Sequence, residues 1–198
     1  MKEIKKFHQS GQLYEQYYRL DGKKHGEYKA WHCNGKVSVC SHYHQGKLHG
    51  EYKEWHYCNG ELATHSYYVH GKKHGDSKIW NSSSVLVSHE QYHHGITHGE
   101  QKKWHTNGTL WYYVEYHHGT PHGEYKSWYT SGQTASHGRW LNGKRHGESK
   151  AWHKNGKMFE HRFWSHGKDV TEQIENIVDD RHNLTEEERT LIKLAVDC

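Results

Sequence analysis

The chain has 198 residues and a formal net charge of +4, and only 32% of its residues are hydrophobic, against roughly 45–50% in an ordinary globular domain. So few apolar residues exclude a thick aliphatic core. The 15 Tyr and 9 Trp exclude a disordered chain, because disordered chains are poor in aromatics. The composition therefore predicts a thin, ordered structure that aromatic side chains hold together.

The N-terminal residues, MKEIKKFHQSGQL, are charged and contain no apolar run of the kind found in secretory signals. No stretch approaches the ~20 apolar residues of a membrane-spanning helix. The four cysteines form no Cys-x-x-Cys pair, so neither a redox motif nor a cysteine-based zinc site is indicated. We therefore expect a cytoplasmic protein with reduced thiols.

A sequence unit of about 24 residues recurs along most of the chain, as fixed-period repeat proteins require. Each unit has a His-Gly pair and, five residues after its glycine, a tryptophan. These structural repeat slots are His25, Gly26, Trp31, His49, Gly50, Trp55, His74, Gly75, Trp80, His98, Gly99, Trp104, His122, Gly123, Trp128, His146, Gly147 and Trp152. A second glycine follows each tryptophan, with Ser84 in the one slot that lacks it, and a third comes eleven residues later, as at Gly46.

Each unit is predicted to form a β-hairpin. The first strand covers residues 25–31, and Asn34-Gly35 supplies a turn with positive φ at both central positions. A second turn, from Gly46 through His49-Gly50, is expected to reverse the chain into the next unit. No unit leaves room for a helical crossover, so the strands must be antiparallel, about 13–14 in all. The regularly placed glycines argue against a helical solenoid.

The pattern Gly-x-Tyr-x-x-Trp-x-x-Asn-Gly, followed by Tyr-x-x-Gly-x-x-His-Gly, resembles the MORN-repeat family over about residues 7–168. It is most similar to the divergent, antitoxin-annotated MORN variant of bacteria and of large DNA viruses of amoebae. The resemblance implies an all-β repeat fold, an elongated, single-layer, twisted antiparallel β-meander of hairpins. It also implies scaffold, dimerisation or membrane-contact roles, with no chemistry of its own.

Two rows of side chains recur with the repeat. Aromatic residues three positions before each inter-repeat glycine are expected to line a groove of the sheet together with the tryptophans, although they could also stack bases or sugars. Lysines three residues after each His-Gly glycine share a strand face with carboxylates two residues earlier, so we expect ion pairs. Strict alternation would place Trp31 on the same face as Glu27 and Lys29. Either a β-bulge or a lysine with its aliphatic stem packed against the sheet could resolve this conflict.

The inter-repeat turns form a basic rim. Its candidate residues for an anionic ligand are Lys23, Lys24, Lys47, Lys72, Lys73, Lys144 and Arg145. The rim could contact anionic lipid or an acidic partner. The alternative is a set of ordinary solvated turn residues.

The chain contains 24 histidines, which could pack in the turns, bind metal or sense pH. Equivalent histidines of successive repeats should lie roughly 9–10 Å apart, and neighbours such as His93 and His94 should point to opposite faces. We therefore expect no metal site. Protonation of many imidazoles should destabilise the protein around pH 5–6.

The repeat rhythm stops after Gly167, which divides the chain into hairpin repeats over residues 1–168 and a C-terminal helical cap over 169–198. Ile174, Ile177 and Val178 have helical spacing, and Thr185 to Glu188 form a capping box before Leu191, Ile192, Leu194 and Ala195. The apolar face should cover the last hairpin, as caps of repeat arrays do. A dimerisation helix is the alternative.

These features predict a non-enzymatic scaffold or protein-interaction module with a protein partner or a homodimer. Peripheral binding to anionic membrane lipid through the basic rim is the alternative. No catalytic constellation, metal site or cofactor site is indicated. Nucleic acid is not an expected partner, because the carboxylates offset the lysines.

Overall fold

The computed structural model describes residues 1–179, 185–187 and 189–190. Its strands are β1 (Lys2–Phe7), β2 (Leu13–Leu20), β3 (Lys23–Trp31), β4 (Val37–His44), β5 (Lys47–Trp55), β6 (Leu62–Val69), β7 (Lys72–Trp80), β8 (Leu86–His93), β9 (Ile96–Trp104), β10 (Leu110–His117), β11 (Thr120–Trp128), β12 (Thr134–Leu141), β13 (Lys144–Arg145), β14 (Gly147–Trp152), β15 (Met158–Ser165) and β16 (Lys168–Asp169). One helix, α1 (Thr171–Asp179), follows the last of these strands. Sixteen strands are therefore found in the described part of the chain, where we expected 13–14.

The strands follow one another in the sheet in the order in which they occur along the chain, except that the short β13 pairs with β12 beside β14. The predicted antiparallel β-meander is confirmed. The chain divides into two compact units, the first of residues 1–99 and 106–108 and the second of residues 100–105 and 109–198. The hairpins within each unit repeat the same local geometry.

The tight turns of the sheet lie between repeats. His44 ends β4 and Lys47 begins β5, and the two residues between them, Gln45 and Gly46, have φ of 50° and 83°. Positive φ at both positions defines a type I′ turn, whose twist matches that of the flanking strands. The Asn34-Gly35 turn is different: only Gly35 has positive φ, and it lies in a loop closed by the bond from His32 N to Lys36 O at 2.8 Å. The prediction of positive φ at both Asn34 and Gly35 was therefore wrong.

Five of the six His-Gly pairs lie inside strands, and His146-Gly147 lies where β13 gives way to β14. None of the pairs forms the chain reversal, which corrects the predicted turn at His49-Gly50. In the first hairpin Tyr17 pairs with Tyr28 and Arg19 with Lys24. Between these two pairs the chain advances by two residues on β2 but by four residues on β3, so β3 contains two extra residues. Gly26, which lies in this stretch of β3, has φ of 81°. A glycine in the left-handed region is the usual means of accommodating a β-bulge. The His-Gly slot is thus a β-bulge, and it changes the side of the sheet toward which the preceding side chains point.

A second irregularity precedes each tryptophan in the hairpins whose pairing is described. The register of β3 against β4 shifts between Ala30 and Trp31, and equivalent shifts occur before Trp55, Trp80, Trp128 and Trp152. The extra residue lies on β4, because the single step from Ala30 to Trp31 faces the two steps from Val39 to Val37.

The core is thin, as the composition predicts. Among the described residues the buried apolar side chains are Tyr17, Val114, Val170 and Ile174. The buried polar side chains are Ser41, Ser66, Ser77, Ser88 and Gln101. Aromatic pairs fill the space between strands with edge-on geometry, such as Tyr28 with Tyr43 at 5.7 Å between centroids and Tyr52 with Tyr68 at 5.9 Å. We call the side of the sheet that carries these rings the aromatic face.

Helix α1 packs on the last long hairpin. Val170 N donates to Phe163 O at 2.9 Å, and Phe163 N donates to Thr171 Oγ1 at 3.0 Å. Asp169 Oδ1 caps the helix by accepting from Thr171 N at 3.0 Å. Ile174 is buried, as a capping role requires. The side chains of Ile177 and Val178, together with Glu188, Leu191, Ile192, Leu194 and Ala195, lie outside the described residues.

Candidate functional site

The basic rim divides into lysines that face the aromatic rings and lysines that face solvent. Lys24 belongs to the first group. Its Nζ lies 4.1 Å from the centroid of Tyr28, 4.7 Å from Tyr17 and 5.2 Å from Tyr43, and 3.3 Å from Glu15 Oε1. The rings and the carboxylate hold this ammonium group in a cation–π cluster, so it is not available to an external anion.

Lys73 and Arg145 also contact aromatic rings, and Arg145 remains exposed. Lys73 Nζ donates to Ser77 Oγ at 2.9 Å and lies 5.0 Å from the centroid of Tyr92. The guanidinium carbon of Arg145 lies 4.9 Å from the centroid of Trp164. Three of the seven predicted rim residues therefore serve the packing of the aromatic face.

The other four rim lysines are exposed: Lys23, Lys47 and Lys72 in the first unit, and Lys144 in the second. Each lies against the glycine of the next inter-repeat turn. A Cβ placed on Gly46 would lie 3.6 Å from Lys23 Cβ, and one placed on Gly71 would lie 3.6 Å from Lys47 Cβ. In the first unit the sheet therefore presents lysines at a spacing of roughly 9–10 Å, two strands per repeat. We call Lys23, Lys47 and Lys72 the exposed lysine row.

Five of the six predicted ion pairs between repeat lysines and carboxylates are confirmed, and in the remaining repeat Asp76 Oδ1 lies 3.1 Å from His89 Nε2. Lys29 Nζ lies 2.7 Å from Glu27, Lys53 Nζ 2.7 Å from Glu51, Lys102 Nζ 2.7 Å from Glu100, Lys126 Nζ 2.8 Å from Glu124 and Lys150 Nζ 2.8 Å from Glu148. The hydrogen bond from Lys53 lowers the pKa of Glu51, with a smaller contribution from His65. Because each of these lysines already has a carboxylate partner, this face is poorly suited to follow a phosphate backbone.

Histidines that follow the tryptophans have a structural role. The Nε2 atoms of His32, His56 and His105 lie 3.1, 2.9 and 2.9 Å from the carbonyl oxygens of the tryptophan one repeat later, Trp55, Trp80 and Trp128. A carbonyl oxygen only accepts, so each of these Nε2 atoms must carry the proton. Tyr129 OH makes the equivalent bond to Trp152 O at 2.7 Å. These side chains join successive hairpins.

Histidines at the inter-repeat turns form groups that the sequence analysis did not predict. The rings of His93 and His94 have centroids 4.5 Å apart, although alternation placed them on opposite faces. That prediction was wrong because His94 is not in a strand: it begins the type I′ turn with φ of 50°. His74, from the preceding strand, completes a group of three. The sequence signal that could have predicted this group is the His93-His94-Gly95 tripeptide, which begins 19 residues after His74.

The second unit has a shallow groove of about 170 Å³ lined in part by Tyr125, Trp140, Ser149 and Phe159. This volume is below the roughly 300–1,000 Å³ of typical ligand pockets. Its serines are hydrogen-bonded to aromatic side chains: Ser149 Oγ accepts from Trp164 Nε1 at 2.9 Å, and Ser136 Oγ lies 2.7 Å from Tyr125 OH. The groove therefore resembles a packing feature of the aromatic face more than a reaction site.

The family model of the MORN repeat variant matches residues 97–118, 121–142 and 145–166. Each matched segment begins just before a His-Gly pair and ends at the next inter-repeat turn, so the sequence match follows the structural repeat. Residues 97–166 are therefore three consecutive repeats of the MORN variant. The hairpins before residue 97 keep the same pairing, bulges and turns as these three repeats.

MORN repeats are non-catalytic modules for protein and membrane interaction. No curated protein matches this MORN-repeat chain significantly. In the described part of the chain, no helix combines the length and apolar character that crossing a bilayer would demand.

Proposed function

We propose that this MORN-repeat protein is a non-enzymatic scaffold that associates with a second copy of itself. The observation that carries the proposal is the incomplete burial of its aromatic residues. Tyr43, Tyr68 and Tyr92 are only half-buried, although each stands in a repeated slot of the aromatic face. Tyr and Trp are enriched at protein interfaces because they combine a large apolar area with a hydrogen-bonding group.

Exposed apolar side chains elsewhere support an interaction role. Trp111 is 49% exposed and Phe159 is 55% exposed. Scattered exposed apolar residues are ordinary, but an ordered protein with this many aromatics and so small a buried core presents apolar surface that a partner can cover. A second copy would supply the same aromatic surface and would need no other gene product.

The test is light scattering coupled to size exclusion over a concentration series at pH 7.5. A mass near twice 23.5 kDa that persists on dilution is the expected result. Truncation after Gly167 then separates association through the repeats from association through the C-terminal segment. A mass of one chain at every concentration would contradict self-association.

Contact with anionic membrane lipid is the second candidate, and the exposed lysine row favours it. Each lysine near an anionic surface contributes about 1 kcal/mol, so three together suffice for weak, salt-sensitive binding. Lys24 and Lys73 would not contribute, because aromatic rings already hold their ammonium groups.

The chain offers a matched control for this second candidate. Neutralising the exposed lysine row (K23Q, K47Q and K72Q together) should abolish sedimentation with phosphatidylserine-containing vesicles. The variant K29Q, K53Q and K126Q loses the same charge from lysines that are already paired, and it should bind as the wild type does. Equal binding by both variants would rule out the rim as the lipid contact, and equal binding to phosphatidylcholine vesicles would rule out anionic lipid.

A further inference from the structure

Three imidazoles of the first unit converge at one inter-repeat turn. The ring centroids lie 5.2 Å apart for His74 and His93, 4.8 Å for His74 and His94, and 4.5 Å for His93 and His94. One ring nitrogen from each residue lies within 4.8 Å of those of the other two. Three imidazole nitrogens this close together can act as ligands of one cation.

The backbone brings these rings together. His74 stands in the bulge of β7, immediately before Gly75 with φ of 76°. His93 ends β8, and His94 turns out of the strand because its φ is 50°. The backbone N–H of His94 donates to His74 Nδ1 at 3.4 Å, a long bond that constrains the ring only weakly. The rings of His93 and His94 are exposed, so an ion can reach both from solvent.

We propose that His74, His93 and His94 form a binding site for a divalent transition-metal ion, with Zn²⁺ as the best-fitting ion. Imidazole nitrogens bind Zn²⁺ at about 2.0–2.1 Å, which places the nitrogens of a tetrahedral site about 3.3 Å apart. Changes in the side-chain torsions of His93 and His94 would bring the ring nitrogens from within 4.8 Å of one another to this shorter distance. Three protein ligands leave the fourth position to water or to a group from another molecule. Hard cations such as Mg²⁺ and Ca²⁺ do not fit, because they prefer oxygen ligands.

The second unit contains the same arrangement with one ligand fewer. His146 and His166 occupy the slots of His74 and His94, with ring centroids 4.9 Å apart and His166 N 3.5 Å from His146 Nδ1. Ser165 replaces the histidine at the end of the strand. Two imidazoles hold a metal ion much less firmly than three, so this turn is a built-in control for the site.

Equivalent positions of other repeats supply substitutions that the fold already tolerates. Val69 ends β6 in the position of His93, and Asn142 begins a type I′ turn in the position of His94. The variant H93V/H94N therefore removes two ligands. Each new residue already occupies the equivalent strand or turn position in another repeat of this protein. The control H166N makes the same turn change at the two-histidine site.

The experiment is a stoichiometric titration of Zn²⁺ into the full chain at pH 7.5 against a chromogenic chelator, since ligation requires neutral imidazoles. We expect H93V/H94N to bind one equivalent fewer than the wild type, and its melting temperature to rise less when Zn²⁺ is added. We expect H166N to bind as many equivalents as the wild type. Retention of all equivalents by H93V/H94N, with an unchanged circular dichroism spectrum, overturns the proposal. Loss of an equivalent in H166N also overturns it, because histidine pairs at turns would then suffice.

Discussion

Ser84 is the one residue that replaces a glycine in the turn slot after the tryptophans, and we predict that Ser84→Gly stabilises the protein. Ser84 has φ of 60°, in the left-handed region where a Cβ crowds the backbone. Its backbone N–H donates to Asn81 O at 2.9 Å, a bond that glycine keeps. The side chain is exposed, so its removal costs no packing.

The magnitude follows from two opposing terms. An L-residue in the left-handed conformation costs about 1–2 kcal/mol. Substitution by glycine removes this cost but lowers the free energy of unfolding by about 0.5–1 kcal/mol, because glycine makes the unfolded chain more flexible. The net gain should be about 0.5–1 kcal/mol. With a urea m-value of about 2–3 kcal/mol/M, the unfolding midpoint should rise by about 0.2–0.5 M.

Urea unfolding followed by tryptophan fluorescence measures this shift, and two controls isolate the backbone term. Gly132→Ser makes the reverse change in the same slot, where φ is 84° and a new Cβ would meet no atom within 4 Å. It should lower the midpoint by a similar amount. Ser83→Gly changes a neighbouring exposed serine that lacks positive φ, and should lower the midpoint slightly. A shift of the unfolding midpoint in the same direction for Ser84→Gly and Ser83→Gly would contradict this prediction.

Three further predictions concern charge. Lys24→Ala should lower stability by about 1–2 kcal/mol through loss of its cation–π contacts, whereas Lys23→Ala should change it by less than about 0.5 kcal/mol; thermal unfolding of both variants distinguishes the two groups of rim lysines. Hydrogen bonds from Thr171, and then the Arg162 guanidinium, lower the pKa of Asp169 to about 2. Its stabilising effect should therefore be present above its unfolded pKa and be lost as pH falls from about 4 towards 2. The melting-temperature difference between wild type and D169N should vanish over that range, and a constant difference would contradict this. Burial, and then His166, lowers the pKa of His146, so its protonation should destabilise the protein as pH falls below its unfolded pKa. A melting temperature unchanged from pH 7.5 to pH 5 would contradict the acid destabilisation that we expect.

Much of the fold could be predicted because a repeat presents the same local signal many times. The spacing of Gly35 and Gly46 fixed the hairpin length, and the missing crossover fixed the antiparallel pairing. Residues two apart share a strand face, so the contact of Lys29 with Glu27 followed directly. None of these inferences depends on counting along a strand beyond a bulge.

The errors all occurred where a residue leaves regular β geometry. Positive φ at Gly26 inserts extra residues on one strand only, so alternation counted from Tyr28 does not predict which way Lys23 and Lys24 point. Positive φ at His94 places its ring beside that of His93. Sequence patterns show that a glycine or a turn is present, but they do not show how many residues the bulge adds.

The sequence alone therefore determined the repeat, its antiparallel hairpins and the pairing of its charged residues, because these depend on local period and chain connectivity. Only the tertiary structure decided which rim lysines are exposed and which histidines meet. Lys24 on β3 contacts the ring of Tyr43 on the adjacent β4. The rings of His74 and His94 are neighbours although the two residues are 20 positions apart in the chain. Such contacts depend on the register of paired strands, and a single left-handed residue changes that register by an amount that no local sequence pattern specifies.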